Sequence, residues 1–259
     1  MRLSLVLVAL VVIGCAHKPS EKKVSYSPLI SFQAEGKSFE SEVKLPKKFD
    51  GKIPLVVIVH EWWGRNEFMQ DRVEKLTAAG YATLAVDLYG EGVVVETPAE
   101  AQALATPFYQ NPQLGIERLN RYIAAAKLDP HVDPSKVYVI GFCFGGTQAL
   151  NFARSGAEVA GVVSFHGGLA SGLPQQPIKA RVLALNGLAD PMVPAKERAA
   201  FEKEMKSTKA NYKVVNYPQA THAFTNPKAT EVGKKYKIPV AYNAKAAEAA
   251  WSEMLKFIQ

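Results

Sequence analysis

The sequence predicts an α/β fold: a single domain built on a mostly parallel sheet with helices covering both faces. Three observations predict it. Short apolar runs that read as buried strands alternate with helical segments of about 10–15 residues, the pattern of a parallel sheet with crossover helices. The 259 residues are 48% hydrophobic, enough for one large core, and carry no internal repeat or low-complexity block. The run Gly141-Phe142-Cys143-Phe144-Gly145-Gly146 stands between an apolar strand-like stretch and a helix-like one, and reads as a tight strand-to-helix turn.

The elements follow in order. Residues 1–14 read as a signal peptide: Arg2 precedes the apolar run Leu3 to Ile13, which is too short to span a membrane. Val12-Ile13-Gly14-Cys15 resembles a bacterial lipoprotein box. That resemblance implies cleavage before Cys15 and acylation of its thiol. The expected place is then the bacterial cell envelope, lipid-anchored and facing the periplasm, with several acyl chains holding where one is marginal. The alternative is ordinary cleavage near Ala16 and a released protein. Residues 15–27 are polar and read as a flexible tether, leaving 28–259 as the folded domain.

Residues 29–45 read as two antiparallel strands around Glu35-Gly36, and 54–60 as a buried strand. Asn66 to Ala79 reads as a helix ended by Gly80, and Tyr81 to Asp87 as the next strand. Helices are expected over 98–106 and 113–126, with 89–112 as a partial cover over the carboxyl edge of the sheet. Strand 136–141 feeds the glycine turn and a helix beyond it. Strands 159–165, 181–187 and 212–217, with helices 195–206 and 243–258, complete the alternation.

Strand, glycine turn and helix form the nucleophile elbow, G-x-S-x-G, with cysteine in the place of serine. Side chains two before and two after the nucleophile would collide, so glycine is needed at both places. The turn holds the Cys143 thiol at the positive end of a helix, where a thiolate is favoured. The ordinary reading is a glycine-rich turn carrying an inert buried thiol. Two further residues weigh against it. Asp190 follows strand 181–187 and His222 follows strand 212–217, in the chain order nucleophile, acid, base. His222 is placed to take a proton from Cys143, with Asp190 setting its tautomer. A free thiol with a pKa of ~8.5 is only a few per cent thiolate at neutral pH, so such a partner has work to do. Taken singly, Asp190 could cap a helix starting near Ala195 and His222 could be a surface loop residue. Together, in order and each after a strand, they point to catalysis. The same geometry assigns the oxyanion hole to the backbone N–H groups of Phe144 and Trp62. Trp62, Trp63 and Phe144 are candidate pocket walls, with a core role left open for the last two.

These residues, with Val59-His60-Glu61-Trp62-Trp63-Gly64 and Asp87-Leu88-Tyr89, resemble the dienelactone hydrolase family of α/β-hydrolases. The resemblance runs from about Phe32 to Ile258 and implies an α/β-hydrolase fold and a Cys143-His222-Asp190 triad. It further implies that Glu61 lies near the resting thiol and takes its proton when substrate arrives. A carboxylate shielded there would have a raised pKa. Dienelactone-cleaving members hold the substrate's carboxylate with two arginines, and the matching positions here are Glu91 and Asn226. An anionic lactone would meet repulsion, so a neutral ester, lactone or thioester is the expected small-molecule substrate. Arg65 is a candidate to compensate.

The formal charge of +7 gathers at Lys44, Lys47, Lys48 and Lys52 and again at Lys228, Lys234, Lys235 and Lys237. Without interleaved aromatics these read as solvated faces, and no nucleic-acid partner is expected. His17, His131 and His166 lack metal-ligand spacing, and no metal or cofactor is expected. His166 sits at a strand end, where a structural role is the expectation. Cys143 is the one thiol of the domain, so a redox role lacks a resolving partner. The chain is expected to act as a monomeric carboxylic ester hydrolase. The alternatives are an acyltransferase, or a non-catalytic envelope binding module that keeps the fold.

Overall fold

The computed structural model describes residues 28–259. The expected signal peptide 1–14 and the tether 15–27, with Cys15, lie outside the described residues. Strands β1 (Leu29–Ala34) and β2 (Lys37–Lys44) form a hairpin through the positive-φ pair Glu35-Gly36. Then follow β3 (Ile53–Val59), α1 (Glu67–Ala78), β4 (Ala82–Val86), α2 (Pro98–Gln110), α3 (Gln113–Ala126), β5 (Val132–Phe142) and α4 (Phe144–Arg154). The chain continues through β6 (Gly161–Phe165), β7 (Arg181–Gly187), α5 (Ala195–Ser207), β8 (Tyr212–Tyr217), α6 (Ala229–Tyr236) and α7 (Ala244–Phe257).

The eight strands make one sheet in the order β1-β2-β4-β3-β5-β6-β7-β8. The pairs β1–β2 and β2–β4 are antiparallel, and all pairs from β4 to β8 are parallel. The sheet is covered on both faces because its strands are apolar on both. Along β3, Leu55, Val57 and Val59 point into a core shared with α2, α3, α4 and α5. Val56 and Ile58 point the opposite way, into a second core with α1 and α7. The period of two splits one apolar run between two layers. Among the described residues no helix is long and apolar enough to cross a membrane.

Three elements depart from the sequence expectation, one of them β5, which begins at Val132 rather than at 136. Helix α2 continues to Gln110, past the expected stop before Pro107. Proline costs a helix one hydrogen bond, and here the last turn is closed instead by Asn111 N–H donating to Pro107 O at 2.8 Å. Helix α6 has no counterpart in the expected elements. It is eight residues long and carries Gly233 and two lysines, too short to stand out along the sequence. Packing holds it: a Cβ on Gly233 would run into the Val240 carbonyl, so the helix lies directly against the 238–240 backbone.

Candidate active site

Parallel strands β3 to β8 bring their carboxyl ends to one edge, and the loops beyond them converge there. The elbow is the tightest. Cys143 has φ 54° and ψ −119°, a left-handed conformation that costs a non-glycine residue on the order of 1–3 kcal/mol. A Cβ on Gly141 would collide with the Gly145 carbonyl, and one on Gly145 would lie 2.5 Å from His60 O. Both glycines are therefore required by close backbone approach. The turn is pinned from below. Cys143 N–H donates to Phe165 O at 3.0 Å and to His166 Nδ1 at 3.1 Å, and Thr147 N–H donates to Cys143 O at 3.2 Å.

The structure brings together Cys143, His222 and Asp190, which are far apart in sequence. His222 Nε2 lies 3.0 Å from Cys143 Sγ, and His222 Nδ1 lies 2.8 Å from Asp190 Oδ2. Asp190 is not a helix cap: Pro194 precedes α5, and Asp190 Oδ1 instead accepts from Met192 N–H at 2.8 Å. Burial opposes charge on His222, but the sulfur and the Asp190 carboxylate outweigh it and push its pKa up to about 10. The arrangement thus sets the imidazole Nε2 within hydrogen-bond reach of the Cys143 sulfur, with Asp190 on the other ring nitrogen.

Glu61 lines the same cavity but touches Asn226 rather than the sulfur, with Asn226 Nδ2 donating to Glu61 Oε2 at 2.7 Å. Burial raises its pKa to about 7, against the lowering effects of Asn226, His222 and Arg72. Asn226 therefore serves the acid in the site. Glu91 is exposed at positive φ, and its N–H donates to Ser38 O at 2.7 Å. Arg65 does not compensate for the two arginines. Its guanidinium bonds Ser41 Oγ and Ala85 O and lies 3.9 Å from Asp87, away from the cavity.

Phe144 is the first residue of α4, so its N–H has no carbonyl partner within the helix. Trp62 sits in the turn after β3, where Tyr89 Oη donates to its carbonyl at 3.0 Å. Both line the cavity beside Cys143. His60 holds this turn: Nδ1–H donates to Glu61 O at 2.6 Å and Nε2 accepts from Leu88 N–H at 3.2 Å. Burial lowers the His60 pKa to about 4, so the neutral ring that these bonds need is the stable form. Asp87 orders the adjoining loop by accepting from the N–H groups of Tyr89, Gly90 and Gly92.

The cavity has a volume of about 310 Å³. The expected cover contributes Gln102 and Tyr109 from α2. The apolar far wall comes from α6 and the segment after it, with Val232, Ile238 and Val240. Sequence reasoning missed that wall, whereas His166 has the structural role expected of it. His166 is buried with φ 40°, its Nδ1 accepts from Cys143 N–H, and its Nε2 lies 2.7 Å from Thr225 Oγ1. Burial and the nearby His222 keep its pKa low, which leaves the ring neutral and able to accept at Nδ1. The available signal was a histidine one residue past β6, the strand paired to β5 just before the elbow.

The model of the dienelactone hydrolase family matches residues 39–259. The chain belongs to the dienelactone hydrolase family. A relative from Synechocystis named carboxymethylenebutenolidase is 28% identical over 227 residues, covering 81% of this chain and 87% of its own length. One of the same name from Escherichia coli K12 is 24% identical over 240 residues, covering 88% and 85%. Among solved structures, a dienelactone hydrolase-like promiscuous phosphotriesterase from metagenomic libraries matches with a TM-score of 0.82 and 29% identity. That match covers 90% of this chain and 97% of the other. A Klebsiella pneumoniae structure described as a dienelactone hydrolase has a TM-score of 0.73 at 22% identity, a likeness of fold. As a dienelactone hydrolase family member the chain is a hydrolase with the α/β-hydrolase fold, of the dienelactone hydrolase type.

Proposed function

We propose that this dienelactone hydrolase family member cleaves an ester, lactone or thioester that carries no carboxylate, through the Cys143 sulfur. The observation that carries the reading is the 3.0 Å contact of His222 Nε2 with Cys143 Sγ, completed by Asp190 at 2.8 Å. The sulfur adds to the carbonyl carbon while the amides of Phe144 and Trp62 receive the developing oxyanion. His222 gives its proton to the leaving alcohol, and the acyl group stays on sulfur. Water, deprotonated by His222, then attacks the thioester, and the acid leaves. Glu61 serves as acceptor for the thiol proton whenever the sulfur rests protonated. A thioester is open to nucleophiles other than water, so acyl transfer is the natural variant of the same chemistry. Acylated Cys15 would tether the domain to the envelope membrane. A substrate without a carboxylate fits a cavity that has no lysine or arginine among its described lining residues.

Hydrolysis of p-nitrophenyl esters of increasing acyl length tests this, using protein that begins at residue 16. Wild type should turn over, with Cys143→Ala and His222→Ala each losing about 10³-fold or more in kcat. Turnover that persists in Cys143→Ala would defeat the reading. The 29% likeness to a promiscuous phosphotriesterase favours adding paraoxon to the panel, with the same mutants as controls.

A further inference from the structure

The cavity has a charge pattern that the triad does not use. Two carboxylates line it, Glu61 and Glu197, and Glu61 is engaged by Asn226. Glu197 stands in the first turn of α5. Its Oε1 accepts from Leu169 N–H at 2.5 Å and Ala170 N–H at 3.0 Å, which fixes the side chain. Among the described residues its Oε2 accepts no hydrogen bond and Glu197 has no ion-pair partner. A Cβ on Gly168 would lie 3.2 Å from Thr147 Oγ1 and 3.9 Å from Glu197 Oε1. The carboxylate thus stands near Thr147, one turn of α4 beyond Cys143.

Trp62, Trp63 and Tyr109 supply aromatic rings to the same walls. The face of an aromatic ring attracts a cation, and a partly dry cavity strengthens the pull of a carboxylate. A carboxylate-bearing substrate would meet repulsion in the same place. We propose that Glu197 is a specificity-determining residue and that the site takes esters carrying an ammonium group ahead of those carrying a carboxylate. The assignment rests on the hydrolase reading above, and one arm of its test stands apart from turnover.

Three p-nitrophenyl esters of similar length provide the comparison: 4-(trimethylammonio)butyrate, its uncharged isostere 5,5-dimethylhexanoate, and the adipate monoester. The ammonium ester should exceed the adipate monoester in kcat/KM by about tenfold or more. In Glu197→Gln, which keeps an oxygen for the two amides, the ammonium-to-isostere ratio of kcat/KM should fall about tenfold. An unchanged ratio, or an adipate monoester hydrolysed best, would overturn the proposal. Calorimetric binding of phenyltrimethylammonium against tert-butylbenzene reads the same preference without catalysis. Tighter binding of the cation by wild type, lost in Glu197→Gln, supports the proposal. Equal or weaker binding of the cation overturns it, whether or not any ester is cleaved.

Discussion

Glu61 is a carboxylate held where its charge is costly. Its side chain is buried, and one neutral amide, that of Asn226, contacts it. Its folded pKa of about 7 lies above the usual value of 4.5. The folded chain therefore binds the extra proton between those two values. The stability linked to that proton is fully present below about pH 4.5 and is lost as pH rises through about 7. Glu61→Gln, uncharged throughout, should be more stable than wild type above pH 7 by on the order of 2–3 kcal/mol, with the gain vanishing near pH 4.5. Urea unfolding at pH 5 and pH 8 measures this. Activity should move in the opposite direction. If Glu61 accepts the thiol proton, esterase activity falls as pH drops through about 7, and Glu61→Gln lowers kcat and removes that limb. A pH–rate profile that is the same in both proteins would refute the proton-acceptor role.

At the scale of elements, the substrate wall depends on α6. The helix has few apolar residues, and it is placed by Gly233 against the Val240 backbone. The isolated bridge between His222 and Val240 then ties this wall to the base of the site. Gly233→Ala should push α6 outward and enlarge the cavity. The expected outcome is a rise in KM of several-fold for long acyl chains, with kcat changed less. The elbow is the opposite case. Gly145→Ala would set a methyl 2.5 Å from His60 O, with backbone on all sides and nothing flexible to yield. Loss of about 3 kcal/mol or failure to fold is the expectation, read from thermal unfolding. The elbow was legible because its glycines answer a constraint inside six consecutive residues. The α6 wall was not, because its constraint comes from residues that pack on it after the chain has turned back.

On the scale of the whole molecule, the sheet makes one edge from residues spread over most of the chain. Glu61 follows β3, Cys143 follows β5, His166 follows β6, Asp190 follows β7 and His222 follows β8. The right order of parallel strands is enough to gather them, which is why chain order predicted their meeting. The described residues begin at Pro28, next to β1, and the proposed anchor at Cys15 lies outside them. Cys15→Ala should move the protein from the membrane to the soluble fraction with kcat/KM on a soluble ester unchanged. Fractionation of cells expressing each form checks it, and membrane retention of the variant would exclude the acyl anchor.

The alternation of apolar runs and helical periods was sufficient for the fold class, and local chemistry was sufficient for the elbow and for the three side chains that meet there. Those features are written in short-range patterns: a period of two, a period of 3.6, a glycine where two backbones touch. Long-range packing settled the remainder. It turned Asn226 toward Glu61, sent Arg65 to the sheet instead of the cavity, and set His166 beneath the Cys143 amide. It also left Glu197 Oε2 without a hydrogen-bond partner among the described residues, in a cavity whose described lining has no lysine or arginine. Where a long polar side chain points depends on which partners the folded backbone brings within about 3 Å of it, and no spacing along the chain encodes that distance.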